Sequence, residues 1–233
     1  MSLLAELKQS VLHLLFPHVC VGCGSDILNT QVTLCIKCIE KLPVTNFEKF
    51  QNNPVEKLFW GRVPVAAATA QYYFTKESLL QTLMHQFKYK KNKELGLQLG
   101  TLMGYQLINS SLYTSVDALI PLPLFEKKER KRGYNQAEVL CNGMATIMQR
   151  PVWNNVIERP QHTDTQTKKN RVERWQNMEG KFTLLHPNTL AGKHVLLVDD
   201  VVTTGATLEA CAGALQQVKD VTISIACCCI ATK

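Results

Sequence analysis

The sequence predicts an α/β fold, a mostly parallel sheet flanked by helices and preceded by a small four-cysteine element. Three observations carry this expectation. Apolar, β-branched runs alternate with helical stripes from residue 65 onward, a buried-strand pattern at 194–200 ends in paired carboxylates and runs into a helix, and two CxxC pairs crowd residues 20–38. Strands that alternate with helices are joined by right-handed crossovers, which makes neighbouring strands parallel.

The elements follow in order. Leu4, Leu7, Val11, Leu14 and Leu15 recur at helical intervals and predict a short amphipathic helix over 3–15, closed by Pro17. After the cysteines, TNFEKFQNNPVEK lacks sustained periodicity and reads as a linker, which divides the chain into residues 1–60 and 61–233. VAAATAQYYF predicts a strand, Leu79, Leu80, Leu83, Met84 and Phe87 a helix, and residues 94–108 a second helix. VDALIPL is a short strand broken by Pro121 and Pro123, followed by a basic loop and a helix from Asn135 to Met148. HVLLVDD is the next strand, Leu208, Cys211, Ala212 and Leu215 line a helix, and VTISIACCCIA closes the sheet.

Composition narrows the function classes. With 233 residues, 45% of them apolar and 19% charged, the chain has the length and core content of one globular domain plus a satellite. No apolar run reaches the roughly 18 residues that span a bilayer, so the expectation is a cytoplasmic protein without membrane insertion. A net charge of +7 inclines the surface towards phosphates or nucleic acid. Nine cysteines, an odd and unevenly placed number, do not form a secreted disulfide framework.

The chemistry concentrates at HVLLVDDVVTTGAT, residues 194–207. Ligands of open α/β sheets bind at the carboxyl ends of strands, and a following helix offers unpaired N–H groups and positive dipole to an anion. Gly205 lets backbone approach a phosphate, and Thr203, Thr204 and Thr207 add hydroxyl donors beside Ala206. Asp199 and Asp200 can accept hydrogen bonds from a sugar diol. Diol and phosphate together describe a sugar phosphate. The plainer reading is a strand whose acids cap the next helix.

A second basic segment, LFEKKERKRGYNQ, carries Lys127, Lys128, Arg130, Lys131 and Arg132 before Gly133, with Asn135 and Gln136 at a helix start. A third, residues 158–182, holds Arg159, Gln166, Lys168, Lys169, Arg171, Arg174 and Asn177 in one long connection, the usual character of a lid or a disordered segment. Lys127, Lys128, Arg130, Lys131, Lys168 and Lys169 are nucleic-acid candidates, with Tyr72, Tyr73, Tyr89, Tyr134 and Trp175 as candidates for stacking.

Cys20, Cys23, Cys35 and Cys38 can close a tetrahedral all-thiolate site, for which Zn²⁺ is the default, with a redox dithiol or an iron–sulfur cluster as alternatives. His18 is a neighbour of this zinc-ribbon-like element, with a substitute ligand as the alternative reading, and Cys141, Cys211 and Cys227 to Cys229 read as core.

The 196–207 segment resembles the phosphoribosyl pyrophosphate (PRPP) signature of type I phosphoribosyltransferases at every position. With the paired CxxC, FKY at 87–89, IPLPL at 120–124, RGYNQAE at 132–138 and the series Arg159, Gln166, Arg171, Asn177 and Phe182, nearly the whole chain resembles the ComF/GntX family. That resemblance implies a type I phosphoribosyltransferase-like domain in which Asp199 and Asp200 hold the ribose and stabilise the reacting centre. Residues 203–207 would bind the 5′-phosphate, and the 121–123 turn would face a pyrophosphate accompanied by Mg²⁺. Arg132, Gly133, Asn135, Gln136, Gln166, Arg171 and Asn177 would form the pyrophosphate and acceptor loops. It also implies a role with incoming single-stranded DNA and other DNA-uptake proteins. A metabolic phosphoribosyltransferase and a non-catalytic PRPP sensor are the alternatives.

Overall fold

The computed structural model describes residues 13, 16–27, 31–159 and 182–231. The N-terminal helix expected over 3–15 lies, apart from His13, outside them, as do Gln166, Lys168, Lys169, Arg171, Asn177 and Trp175.

Helix α1 (Ile36–Glu40), a 3₁₀ turn (Phe47–Lys49) and α2 (Pro54–Lys57) lead into β1 (Ala67–Phe74). Then come α3 (Leu79–Tyr89), α4 (Lys93–Ile108), β2 (Ala118–Pro121), α5 (Glu126–Arg132) and α6 (Gln136–Met148). A two-stranded ribbon, β3 (Ile157–Glu158) and β4 (Thr183–Leu184), precedes α7 (Pro187–Leu190), β5 (His194–Val202), α8 (Ala206–Leu215) and β6 (Thr222–Ala231). The main sheet has the order β1-β6-β5-β2 with every neighbouring pair parallel, as expected.

Both faces of this sheet are covered, which is why its strands read as continuous apolar runs. Side chains alternate across it: Leu196 and Val198 join one core with α3, α4 and α6, while Val195 and Leu197 join the other with α8. Cys227 and Cys228 divide between the two faces in the same way, so the triple cysteine is core.

The stretch read as a linker is packed. Phe47, Val55, Phe59 and Val63 are buried in the α8-side core. Asn53 is 1% exposed and offers its side-chain N–H groups to the carbonyls of Phe47, Phe50 and Ala68. Periodicity missed this stretch because its anchors are irregularly spaced and the buried Asn53 is satisfied by backbone carbonyls rather than by water. Residues 126–132, read as a loop, form α5, which buries no side chain and so shows no apolar stripe.

The four-cysteine element also shares a core: Cys20, Leu34, Cys38 and Leu42 pack with residues of α3 and α4. Gln98 of α4 accepts the N–H groups of Thr33 and Leu34 at 2.8 and 3.0 Å. Helices α4 and α6 meet through glycines, since a Cβ on Gly100 would lie 2.2 Å from the Leu140 carbonyl oxygen and one on Gly143 2.2 Å from that of Leu97. Alanine normally stabilises a helix interior relative to glycine. Here Gly143→Ala should cost about 1–3 kcal/mol through overpacking, read as a lower urea midpoint. A higher midpoint would show that the helices can part freely.

Neither edge of the sheet is bare. Thr45 donates its N–H to Gln71 O and Tyr73 donates to Pro43 O, both at 2.9 Å, along β1. Leu119 of β2 donates to Pro151 O and accepts from Trp153, again at 2.9 Å.

Candidate functional site

The sheet delivers Asp199 and Asp200 to the carboxyl end of β5, beside the start of α8. Asp200 is 7% exposed, and its Oδ2 lies 3.0 Å from Lys88 Nζ and 4.0 Å from Arg132 Nη1. Lys88 sits in the last turn of α3, which starts at Ser78, whose hydroxyl caps Gln81 N at 3.1 Å. Arg132 ends α5 and is held by Gln136, whose side-chain oxygen accepts from it at 2.6 Å. Tyr134 ties the two segments together by donating its hydroxyl to the Phe87 carbonyl.

Asp199 is half-buried and accepts the Asp200 N–H at 2.7 Å. Removal from water pushes its carboxyl up to about 7, and the Asp200 charge adds to the rise. The hydrogen bond from Asp200 and the charges of Lys88 and Arg132 work the other way without offsetting it. A carboxyl so placed can exist in either protonation state near neutrality.

The following turn is built for an anion. Gly205 adopts φ +76° at the N-cap of α8, and no side chain caps that helix. Its first N–H groups therefore lack side-chain partners where the dipole is positive. Asp199 and residues 201–208 line a small cavity of about 50 Å³ here. Behind it the Phe59 ring packs 3.1 Å from where a Gly205 Cβ would be, so the segment before β1 braces the loop.

A larger cavity, about 520 Å³, lies between the Pro121–Glu129 turn and Asn154–Arg159. The Arg159 guanidinium stands 3.6 Å from the centre of the Phe125 ring and 5.3 Å from that of Phe182. Burial lowers its pKa, and the nearby Asp199 carboxylate works against that shift.

In the N-terminal element, the sulfurs of Cys20, Cys23, Cys35 and Cys38 all lie within 4.8 Å of one another. The Cys23 and Cys35 sulfurs are 3.7 Å apart, close to the roughly 3.8 Å edge of a tetrahedron with metal–sulfur bonds of about 2.3 Å. Cys35 N–H points at Cys20 Sγ at 3.3 Å. A Cβ on Gly22 would meet Cys38 Sγ at 2.9 Å, so glycine lets the turn close on the sulfurs. Without an ion the thiols compete for charge: hydrogen bonds with Ser25 bring Cys23 down to about 6, while burial and then the other thiols push Cys38 up. The donor set fits one structural metal ion. His18 is engaged elsewhere, with its Nε2 2.7 Å from Val32 O.

Competence protein F of Haemophilus influenzae is 32% identical over 199 residues, 83% of this chain and 76% of that protein. This chain belongs to the ComF family. The phosphoribosyl transferase domain model matches residues 138–233. The DNA utilization protein YhgH of Escherichia coli K12 is 27% identical over 91% of this chain and 89% of its own length. Competence protein ComFC of Bacillus subtilis is 29% identical over 58% of this chain and 53% of its own. The chain is therefore a ComF-type, phosphoribosyltransferase-like protein with an N-terminal four-cysteine cluster.

In this ComF-family chain the residues marked from sequence separate into groups. Asp199, Asp200, Thr203, Thr204, Gly205, Ala206 and Thr207 come together at one end of β5, and Arg132 joins them from α5. Asn135 and Gln136 are engaged with protein groups: Asn135 caps α6 through Ala137 N and donates to Leu122 O. Gly133 ends α5 at φ +85°. Lys127, Lys128, Arg130 and Lys131 are exposed on α5. Of the aromatic candidates, Tyr72 and Tyr134 are core, Tyr73 packs edge-on against Phe47, and Tyr89 is 55% exposed. Sequence reasoning did not mark Lys88, although FKY at 87–89 was the available signal. Nor did it mark Arg159 as a site residue. His194 has both ring nitrogens engaged, with Ser115 and Ser224. Among the described residues no helix is long and apolar enough to cross a membrane.

Proposed function

We propose that this ComF-family chain binds PRPP with Mg²⁺ at the carboxyl end of β5 and handles incoming single-stranded DNA in the cytoplasm as part of a DNA-uptake system. The observation that carries the reading is the meeting, in one mouth, of two adjacent carboxylates with an uncapped helix start rich in threonine and glycine. Asp199 and Asp200 would accept the ribose hydroxyls, and the backbone and hydroxyls of 203–207 would take the 5′-phosphate. Lys88 and Arg132 hold Asp200 and add positive charge on the side where a pyrophosphate leaves. Mg²⁺, carried in with PRPP, would supply further neutralisation of that leaving group. Zn²⁺ is the ion we assign to the four thiolates, since an all-thiolate tetrahedron without redox chemistry is its usual site.

DNA binding is supported by the cations of α5. Replacing Lys127, Lys128, Arg130 and Lys131 with Ala should weaken binding of every single strand alike and flatten its salt dependence, by about 0.7 log unit for each phosphate no longer neutralised. The PRPP-induced melting shift should persist, because these four side chains are exposed and only Arg132 of α5 reaches Asp200. Filter binding across a salt series, run beside PRPP turnover with a panel of bases, tests this. DNA affinity untouched by the substitutions, together with turnover of a free base, would favour a metabolic transferase. PRPP binding without turnover or DNA affinity would favour a sensor.

A further inference from the structure

The proposed site leaves one feature of its rim unused. Tyr89 ends α3, one residue after Lys88, and is 55% exposed. Its ring is not an isolated surface aromatic. The Arg132 guanidinium stands 6.0 Å from its centre and is itself 4.0 Å from Asp200 Oδ2. The His85 ring lies 5.1 Å away, tilted by 47°. Lys88, the preceding residue, and Arg132 both reach Asp200, so the ring stands beside the carboxylate proposed to hold ribose.

Charge surrounds it. Lys90 and Lys91 are exposed on the connection after α3, and Lys93 is exposed at the start of α4. A Cβ built on Gly133 would lie 3.5 Å from Lys91 Cε, so this connection lies against the end of α5. The exposed cations of α5 therefore continue into the lysines around Tyr89, and the combined strip ends at Asp200. A polyanion with flat bases fits such a surface: phosphates meet exposed cations, and a base finds an exposed aromatic ring.

We propose that Tyr89 is the stacking platform for a nucleobase of single-stranded DNA, which brings that nucleotide to the rim of the ribose site while its phosphates lie on the lysine strip. This rests on the proposed DNA reading and deepens it, since it makes the strand and PRPP neighbours at one mouth.

The test uses the full-length, metal-loaded protein and an oligothymidylate carrying one 2-aminopurine, whose fluorescence falls on stacking. Wild type should bind with quenching. Tyr89→Phe should keep both, whereas Tyr89→Leu, of similar apolar bulk but without a π face, should lose the quenching and bind about 5- to 100-fold more weakly, the range of one missing stack. The salt slope of Tyr89→Leu should match that of wild type, because the cations remain. Far-ultraviolet circular dichroism and zinc content check that each variant is folded. Equal quenching and affinity in Tyr89→Leu and wild type would overturn the proposal while leaving DNA binding intact. Quenching by free 2-aminopurine riboside, without salt dependence, would move the platform to a free base and overturn the strand assignment. Absence of oligonucleotide binding by wild type would remove the DNA reading itself, and this inference with it.

Discussion

Cys20→Ser combined with Cys35→Ser should abolish metal binding and unfold the segment from Cys20 to Leu42, the largest single loss of structure expected from any pair of substitutions in this chain. Short metal domains hold little core, and apparent binding free energies of about 10–16 kcal/mol in zinc-finger peptides are folding free energy. Here the loss should spread. Leu34 and Leu42 pack against α3 and α4, and Gln98 of α4 accepts two backbone N–H groups from the element. Limited proteolysis should show new cleavage between residues 20 and 42, and the remaining domain should melt at a lower temperature. Metal analysis of the wild-type protein should give about one zinc per chain. Iron instead of zinc would overturn the assignment of the ion, and unchanged proteolytic resistance in the double variant would overturn its structural role.

The second large effect is expected at β5. PRPP with Mg²⁺ at roughly 100 times its dissociation constant should stabilise the protein by about 2.7 kcal/mol, and Asp199→Asn with Asp200→Asn should remove that stabilisation. Adenine nucleotides should do less. No shift by PRPP at millimolar concentration would sink the PRPP reading. The unliganded protein should respond in the opposite sense. Burial raises the Asp199 carboxyl from 3.8 to about 7, so the folded chain holds this proton more tightly than the unfolded chain does. Its contribution to stability is fully present below about pH 4 and declines as pH rises to 7, beyond which the loss is constant. Asp199→Asn alone should therefore raise the melting temperature of the free protein at pH 8 and leave it nearly unchanged at pH 4. A lower melting temperature at pH 8 would mean that Asp199 is stabilised there by charges stronger than its burial.

Much of this could be read before the fold was seen. The alternation of strands and helices was legible because both faces of the sheet are buried and the helices that cover it, α3, α4, α6 and α8, carry apolar residues towards it. The Asp199–Thr207 turn was legible because its chemistry is local, held in nine consecutive residues. What escaped was tertiary. Nothing in the spacing of Lys88 and Asp200 announces a 3.0 Å ion pair across 112 residues, and α5, with seven residues and no buried side chain, gives periodicity nothing to detect. Asn53 and Glu56 looked like linker residues because polar side chains usually face water; here both are buried, and Glu56 accepts the Ala68 N–H at 3.3 Å. Exposure sorted the aromatics, which composition alone could not do.

The backbone groups that run alongside β1 and β2 bear on how this protein can meet others. A sheet with a bare margin can be lengthened by an extended peptide or by a second copy, which is a route to partner capture and also to fibrils. Residues 43–45 occupy the margin of β1, and residues 151–153 that of β2. Growth by strand addition is thereby blocked at both ends of the four-stranded sheet. Contacts that involve this sheet are then made by side chains rather than by its backbone margins, and their specificity can be altered by surface substitution without disturbing the strands beneath.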